Sequence, residues 1–409
     1  MKKMNYILTS LLIGFFWLIP LSANAESGQP ENLFSESYML MDASTGQVIA
    51  EEDSDRRMYP ASITKMVTAI IAIESGKMNE MVTISENAAS VEGTRVYLLE
   101  GEKLPLRQLV QGLMINSGND AAIAIAEHLS GSVEDFSKEM NAFAEERLGL
   151  ENTHFVNPSG LHDKEHYSTA SDMAKIAQYS LENETFRDIV KTKKLAWKGK
   201  GWDTTLVNHH KLLWRYDGVV GVKNGYTSES QHTLVTAAKK EDTSYIAVTM
   251  KSDTSEQAYA DTVELLDYGF EHFETKKVAK GTVVTDEDGK EYTLKEDKFF
   301  TNIIGEKFNT FVDKEGNLVV SNELDEEIAT FPILPDATAQ DEVGDTSQPT
   351  QAAMGNLQPE DETEQGTLWV TLTFVSFCLL FILLLVNWYR IKLKRKKLRV
   401  QRMMNEFKR

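Results

Sequence analysis

The sequence predicts an α/β (α+β) body, then a small all-β module, then one membrane-spanning helix. Three observations carry that prediction. Between residues 34 and 275, apolar runs of strand length are mixed with longer runs of helical period. Residues 276–335 break into short strand-like pieces between the turns "DEDGKE" and "DKEGN". Residues 368–388 carry no charge over a length sufficient to cross a bilayer as a helix.

The chain opens on Lys2 and Lys3, an apolar run from Tyr6 to Leu21, and Ala23-Asn24-Ala25. That order predicts a secretory signal peptide over 1–25, cleaved after Ala25. An uncleaved anchor fits less well, because the run is short and ends in the small-residue pattern. In the first domain, 26–275, "SYMLMDASTGQVIAEED" reads as two short strands about a turn at Thr45-Gly46. "SITKMVTAIIAIESG" reads as an apolar helix closed by Gly76, and "LRQLVQGLMINSGNDAAIAIAEHLSG" as two helices broken at Ser117-Gly118-Asn119. "YIAVTMKS" reads as a buried strand, followed by the amphipathic helix "QAYADTVELLDYGFEHF".

The small β domain is expected over 276–335. Residues 336–367 lack apolar periodicity and are rich in Asp, Glu, Gln, Thr and Pro, which predicts a disordered acidic linker. The membrane helix is placed at 368–389. The tail, 390–409, holds ten basic residues and one acid, Glu406. Such an excess marks the cytoplasmic side and favours contact with anionic lipid. The body is therefore expected outside the cytoplasm, on a single-pass anchor.

The chain has a formal net charge of −19. Without the tail and the two leader lysines, 31 basic residues face 61 acidic ones, a balance near −30. Nucleic acid is excluded as a partner because it requires a basic footprint. A surface this acidic suits a saline habitat, where salt screens its self-repulsion. Cys378 is the single cysteine, and it falls in the membrane helix, so the body has no disulfide. With no other cysteine in the body, no metal site and no cofactor are expected.

Three stretches could carry chemistry. "PASITK" sets Ser62 and Lys65 three apart, on one helical face near an N-terminus. A desolvated lysine can serve as the base that makes a serine nucleophilic. A capping serine beside a solvated lysine is the plain alternative, although Lys65 sits among Ile63, Met66, Val67, Ile70 and Ile71, a poor place for an idle charge. "NSGNDAA" offers the Ser117 hydroxyl as a proton relay and the Asn119 amide as a carbonyl ligand, or else a helix-to-helix turn bent at Gly118. "GVKNGYTSES" presents Asn224-Gly225, the strongest short-range hairpin signal, or else a strand carrying Lys223.

Ser-x-x-Lys, then Ser-Gly-Asn, then Lys-x-Gly in that order is the signature set of penicillin-binding proteins. With "MDASTGQVIAEEDSDRRMYPASITKMVTA" and "ERLGLENTHFVNPSGLHDKEHYSTASDMAKIA", the chain from Phe34 to Pro335 resembles the D-alanyl-D-alanine carboxypeptidases, low-molecular-mass penicillin-binding proteins of peptidase family S11 type. The resemblance implies a serine β-lactamase/penicillin-binding transpeptidase-like domain, its antiparallel sheet flanked by helices and interrupted by a helical lobe. It implies that Ser62 attacks the bond between two D-alanines of a peptidoglycan stem peptide, with Lys65 as base and Ser117 relaying the proton. Asn119 would hold the stem peptide, Lys223 the terminal carboxylate, and the N–H groups of Ser62 and Tyr226 the oxyanion. β-Lactams would acylate Ser62 covalently.

Three departures stand out. The family has Thr where this chain has Asn224, so altered substrate or β-lactam preference is expected. Thr227, two residues after Gly225 and in phase with Lys223, is expected to supply a replacement hydroxyl. A basic residue that the family uses after the strand "YIAVTM" has only Lys251 as a candidate. The family's amphipathic membrane helix is here replaced by a spacer and a full span. The rivals are a β-lactamase, which lacks its Glu-x-x-Leu-Asn loop here, and a catalytically silent wall-binding or regulatory protein of the same fold.

Overall fold

A computed structural model describes residue 30 and residues 32–333. The signal peptide, acidic linker, membrane helix with Cys378, and basic tail all lie outside the described residues. Among the described residues no helix is long and apolar enough to cross a membrane.

β1 (Ser37–Asp42) and β2 (Val48–Glu52) form a hairpin turned at Gly46, whose φ of 75° suits glycine. A 3-10 turn, Ala61–Thr64, leads into α1 (Lys65–Glu74). The lobe that follows contains β3 (Met81–Thr83), α2 (Glu86–Ser90), β4 (Lys103–Pro105), α3 (Leu106–Ile115), α4 (Asn119–Ser130), α5 (Val133–Ala142), α6 (Ala170–Glu182) and α7 (Glu184–Val190). A hairpin of β5 (Lys194–Lys198) and β6 (Asp203–Val207) and the short α8 (Leu212–Arg215) return the chain to the sheet. There it runs as β7 (Val219–Thr227), β8 (Gln231–Lys240) and β9 (Thr243–Ser252), and α9 (Ser255–His272) covers it.

The five-stranded sheet has the order β2-β1-β9-β8-β7, antiparallel throughout, so the helical lobe is inserted between β2 and β7. Alternation along β1 shows how the sheet serves two cores. Met39 and Met41 pack into the helical lobe, while Tyr38 and Leu40 pack beneath α9 with Leu265 and Leu266. β9 repeats the rule, with Ile246 and Val248 on one face and Tyr245 and Ala247 on the other. A capping box at Thr254 and Gln257 starts α9.

β10 (Phe273–Val278) runs across the expected division at residue 275 and pairs with β13 (Lys298–Ile303). Between them lies the hairpin of β11 (Val283–Thr285) and β12 (Glu291–Thr293). β14 (Phe308–Val312), β15 (Asn317–Asn322) and β16 (Glu327–Pro332) form a further three-stranded sheet. Val278, Val284, Leu294, Phe300 and Leu318 form a core separate from the others. Asp42 joins this region to the main sheet by accepting hydrogen bonds from Thr275 and Thr301.

Candidate active site

The nucleophile turn is held from three sides. Ala61 takes a left-handed φ of 51°, a costly conformation for a residue with a side chain. The adjoining backbone leaves no room for one: a Cβ on Gly160, at φ 80°, would lie 1.9 Å from the Ala61 carbonyl oxygen. On the other side Thr233 donates to the Pro60 carbonyl at 2.8 Å. Ser62 does not cap α1, whose N-cap is Thr64 without a side-chain bond. Its hydroxyl faces Lys65.

Lys65 is fully buried, and Nζ lies 2.9 Å from Ser62 Oγ, 2.8 Å from Asn119 Oδ1 and 2.6 Å from the Ser159 carbonyl oxygen. Burial first, and then the charge of Lys223, hold its pKa well below the ordinary lysine value, against a smaller opposing pull from Asp120. The stereochemistry is informative. Asn119 Oδ1 and the Ser159 carbonyl can only accept, so a neutral amine spends its two N–H bonds on them. The lone pair then faces the Ser62 hydroxyl, as a general base requires.

The break between α3 and α4 forms the second wall, where Asn119 reaches Lys65. The left-handed residue at the break between α3 and α4 is Ser117, at φ 63°; Gly118 has an ordinary backbone and is not the bend. Glycine is needed at 118 for space, since a Cβ there would meet Asp120 Oδ1 at 2.9 Å. Asn119 is oriented by donating Nδ2–H to the Glu92 carbonyl at 2.8 Å. Asp120 is buried and accepts from the N–H groups of Val96 and Leu98 and from Ala121 N–H in the first turn of α4. Burial raises its pKa, and those bonds oppose the rise.

The third wall is β7, and Asn224-Gly225 is strand rather than turn. Lys223 pairs with Val235, Asn224 with Leu234 and Gly225 with Thr233; the chain reverses only after Thr227. A Cβ on Gly225 would lie 2.7 Å from Ser62 N and 2.6 Å from Thr233 Oγ1, so only glycine lets β7 lie against the nucleophile turn. Lys223 is buried, and desolvation lowers its pKa to about 7. Its Nζ donates to the Asn224 carbonyl at 2.8 Å. The Thr227 hydroxyl donates to Ser230 Oγ and accepts from Ser230 N–H, closing the β7–β8 turn, so its proton is not offered to a ligand. Tyr226 follows Gly225 with its ring exposed and tilted against His232. Lys251 forms an ion pair with Glu36 at 2.9 Å.

Two contributors escaped the sequence reading. Ser159 acts through a backbone carbonyl, which no side-chain pattern reveals. Asn157 Oδ1 fixes it by accepting from the N–H groups of Ser159 and Gly160. His166 is buried, accepts from Val156 N–H at Nδ1 and, with Nε2 therefore protonated, donates to Thr64 Oγ1 at 2.9 Å. It joins the loop bearing Ser159 to the turn bearing Ser62. No group of three or more metal-ligating side chains occurs among the described residues.

With this geometry in hand, relatives are informative. Residues 23–254 match the family model of peptidase S11, described as D-alanyl-D-alanine carboxypeptidase. The chain is 38% identical over 297 residues to D-alanyl-D-alanine carboxypeptidase DacF of Bacillus subtilis, covering 68% of this chain and 74% of that one. It is 35% identical to the Escherichia coli K12 carboxypeptidase DacA over 254 residues, 59% of this chain and 62% of that one. Its structure is similar to penicillin binding protein 5 of Haemophilus influenzae, with TM-score 0.66 and 30% identity over 74% of this chain and 96% of the other.

Proposed function

From the premise that this chain belongs to the peptidase S11 family of D-alanyl-D-alanine carboxypeptidases, we infer that it is a serine-type peptidase that removes the terminal D-alanine from peptidoglycan stem peptides. The observation that carries the reading is the buried Lys65 amine, held 2.9 Å from Ser62 Oγ by two acceptors that leave its lone pair to the hydroxyl.

The residues divide the work as follows. Neutral Lys65 takes the Ser62 proton as Oγ attacks the carbonyl between the two D-alanines. The N–H groups of Ser62 and Tyr226 stabilise the oxyanion. Ser117 passes the proton to the departing amine, D-alanine leaves, and water hydrolyses the ester. Asn119 holds the stem peptide, and Lys223 meets the terminal carboxylate. A β-lactam forms the same ester on Ser62. A catalytically silent protein would have no use for a buried lysine, its charge disfavoured by desolvation, beside a serine. For a β-lactamase, the sequence lacks the Glu-x-x-Leu-Asn loop that supplies the deacylating base.

We place the body outside the cytoplasm, held by a single span at 368–389 and in contact with lipid through the basic tail. The support is the charge-free run and the Lys/Arg block after it.

The test is release of D-alanine from a pentapeptide ending in D-Ala-D-Ala, together with labelling by a fluorescent penicillin. Both are expected in the full chain and both should vanish in Ser62→Ala. Labelling that persists in Ser62→Ala would sink the assignment of the nucleophile, and labelling without D-alanine release would sink the carboxypeptidase reading.

A further inference from the structure

The first two residues of α4 tie down the segment that precedes β4. Asn119 N–H donates to the Thr94 carbonyl at 2.7 Å, and Asn119 Nδ2–H to the Glu92 carbonyl at 2.8 Å. Asp120 accepts from the Val96 and Leu98 N–H groups at 3.0 and 3.1 Å. From the end of α3, Asn116 donates to the Arg95 carbonyl at 2.9 Å. The backbone of Arg95 is therefore fixed against the cleft wall whose Asn119 Oδ1 lies 2.8 Å from Lys65 Nζ.

The tether also decides which side chains face out. Val96 and Leu98 are buried in the lobe core, while Tyr97 between them is 50% exposed at a left-handed φ of 59°. That backbone is costly for an aromatic residue, and the Asp120 carboxylate holds it by binding both neighbours. Trp202, in the turn of the β5–β6 hairpin, meets the Tyr97 ring edge to face, with ring centres 5.0 Å apart. The turn is pressed on this segment, since a Cβ on Gly201 would lie 2.2 Å from the Tyr97 carbonyl oxygen. Over the ring so fixed lies the Arg95 guanidinium, 5.3 Å from its centre. Arg95 forms no ion pair among the described residues, although the body is acidic overall. A guanidinium laid on a fixed aromatic ring, with its donors uncommitted to a carboxylate, is ready to take one.

We propose that Arg95 is a specificity-determining residue, and that it receives a side-chain carboxylate on the stem-peptide residue immediately before D-Ala-D-Ala. The proposal rests on the carboxypeptidase reading. In that reading Lys223 takes the terminal carboxylate and Asn119 holds the peptide behind it. The peptide therefore runs away from the reacting carbonyl past the wall to which Arg95 is tied. An extended chain advances about 3.3 Å per residue, so the residue before the D-alanine pair is one step from the Asn119 contact. A long guanidinium arm rooted beside Asn119 reaches its side chain. Guanidinium and carboxylate pair through two parallel hydrogen bonds, and the Tyr97 ring reduces the freedom the arm loses on binding. A side-chain amide offers a single uncharged acceptor, and an ammonium is repelled. The bonds made and broken in the reaction are unchanged; Arg95 selects which peptide is held.

The experiment uses the purified full chain in about 0.1 M salt, where distant charges are screened. Its probes are three N-acetylated peptides, L-Glu-D-Ala-D-Ala, L-Gln-D-Ala-D-Ala and L-Lys-D-Ala-D-Ala. D-Alanine release is read as ratios of kcat/KM between peptides, which do not depend on the fraction of enzyme that is folded. The L-Glu peptide is expected at least about tenfold above the L-Lys peptide, the worth of one charge-assisted hydrogen bond, with L-Gln between them. Arg95→Glu should reverse that order. Arg95→Lys should keep the order with a smaller ratio, because an ammonium cannot form the two parallel bonds. Tyr97→Asn, which tolerates the left-handed backbone, should lower the ratio about two- to fivefold, the worth of an exposed cation–π contact. A merely structural role for Arg95 would lower all three peptides together and leave their ratios unmoved. That result in Arg95→Glu overturns the assignment, as does a parent enzyme that releases D-alanine equally from the L-Glu and L-Lys peptides. Release from none of the three would overturn the carboxypeptidase reading itself.

Discussion

At the scale of single residues, the two buried lysines set opposite pH demands. Lys65 must be neutral to accept a proton, and burial, followed by the charge of Lys223, shifts its pKa down toward that form. Lys223 must be charged to meet a carboxylate, and that charge is lost as pH rises through about 7. kcat/KM reports the free enzyme, so it should form a bell whose alkaline limb falls near pH 7. Bound carboxylate stabilises the ammonium, so the same limb in kcat should lie higher. Lys223→Arg keeps its charge at every working pH and should remove the alkaline limb from kcat/KM. A limb at the same pH in that variant would show that Lys223 is not its source. Ser62, Lys65, Ser117, Asn119 and Lys223 could be named from the sequence because side-chain type and spacing carry their signal. The Ser159 carbonyl could not, because its place follows from how a loop folds around Asn157.

At the scale of elements, the contact between β7 and the nucleophile turn is what a hairpin signal hides. Asn-Gly favours a tight turn locally, but here a nine-residue strand continues through it, paired with β8 on one side and pressed on Ser62 on the other. Tertiary packing outweighs the local preference. Gly225→Ala should therefore lower the rate of penicillin acylation by about 100-fold, the cost of displacing a reacting group by about an ångström. The far-UV circular dichroism should be unchanged, and an acylation rate within a few-fold of the parent would refute the contact. The loop bearing Ser159 is a second such element. His166→Ala leaves the part-buried Val156 N–H without its acceptor, at a cost of about 1 kcal/mol in unfolding free energy, and removes the link between the loop bearing Ser159 and the turn bearing Ser62. His166→Gln keeps a donor toward Thr64 and should recover part of both stability and acylation. Because burial lowers the His166 pKa to about 3, the unfolded chain binds more protons below pH 6.5. Stability from this group is thus complete above pH 6.5 and lost as pH falls toward 3; urea melts across that window should be flatter in His166→Gln. The role of His166 is not announced by its spacing, since a histidine in a loop is ordinary until the fold buries it.

At the scale of the whole molecule, charge opposes itself. Residues 32–333 hold 31 basic against 51 acidic side chains, a balance of −20, around a cleft that contains the buried lysines Lys65 and Lys223. The fold class was legible as alternating texture, but this contrast was not, because composition gives the sum of charges and not their arrangement. A stem peptide brings carboxylates of its own. From far away it meets the negative body, and near the cleft it meets Lys223. Which effect dominates depends on the screening length, about 30 Å at 0.01 M salt and about 10 Å at 0.1 M. At low salt the whole surface acts on the approaching peptide and repels it. At 0.1 M distant charges are screened and the local attraction persists. KM for an anionic stem peptide should therefore fall several-fold between 0.01 and 0.1 M salt and rise again near 1 M, where screening reaches about 3 Å and weakens the cleft contacts as well. The melting temperature, which feels only the repulsion within the body, should rise over the first part of that range. A KM that climbs steadily from 0.01 M would mean that Lys223 governs encounter from the start, and that the acidic surface has no part in it.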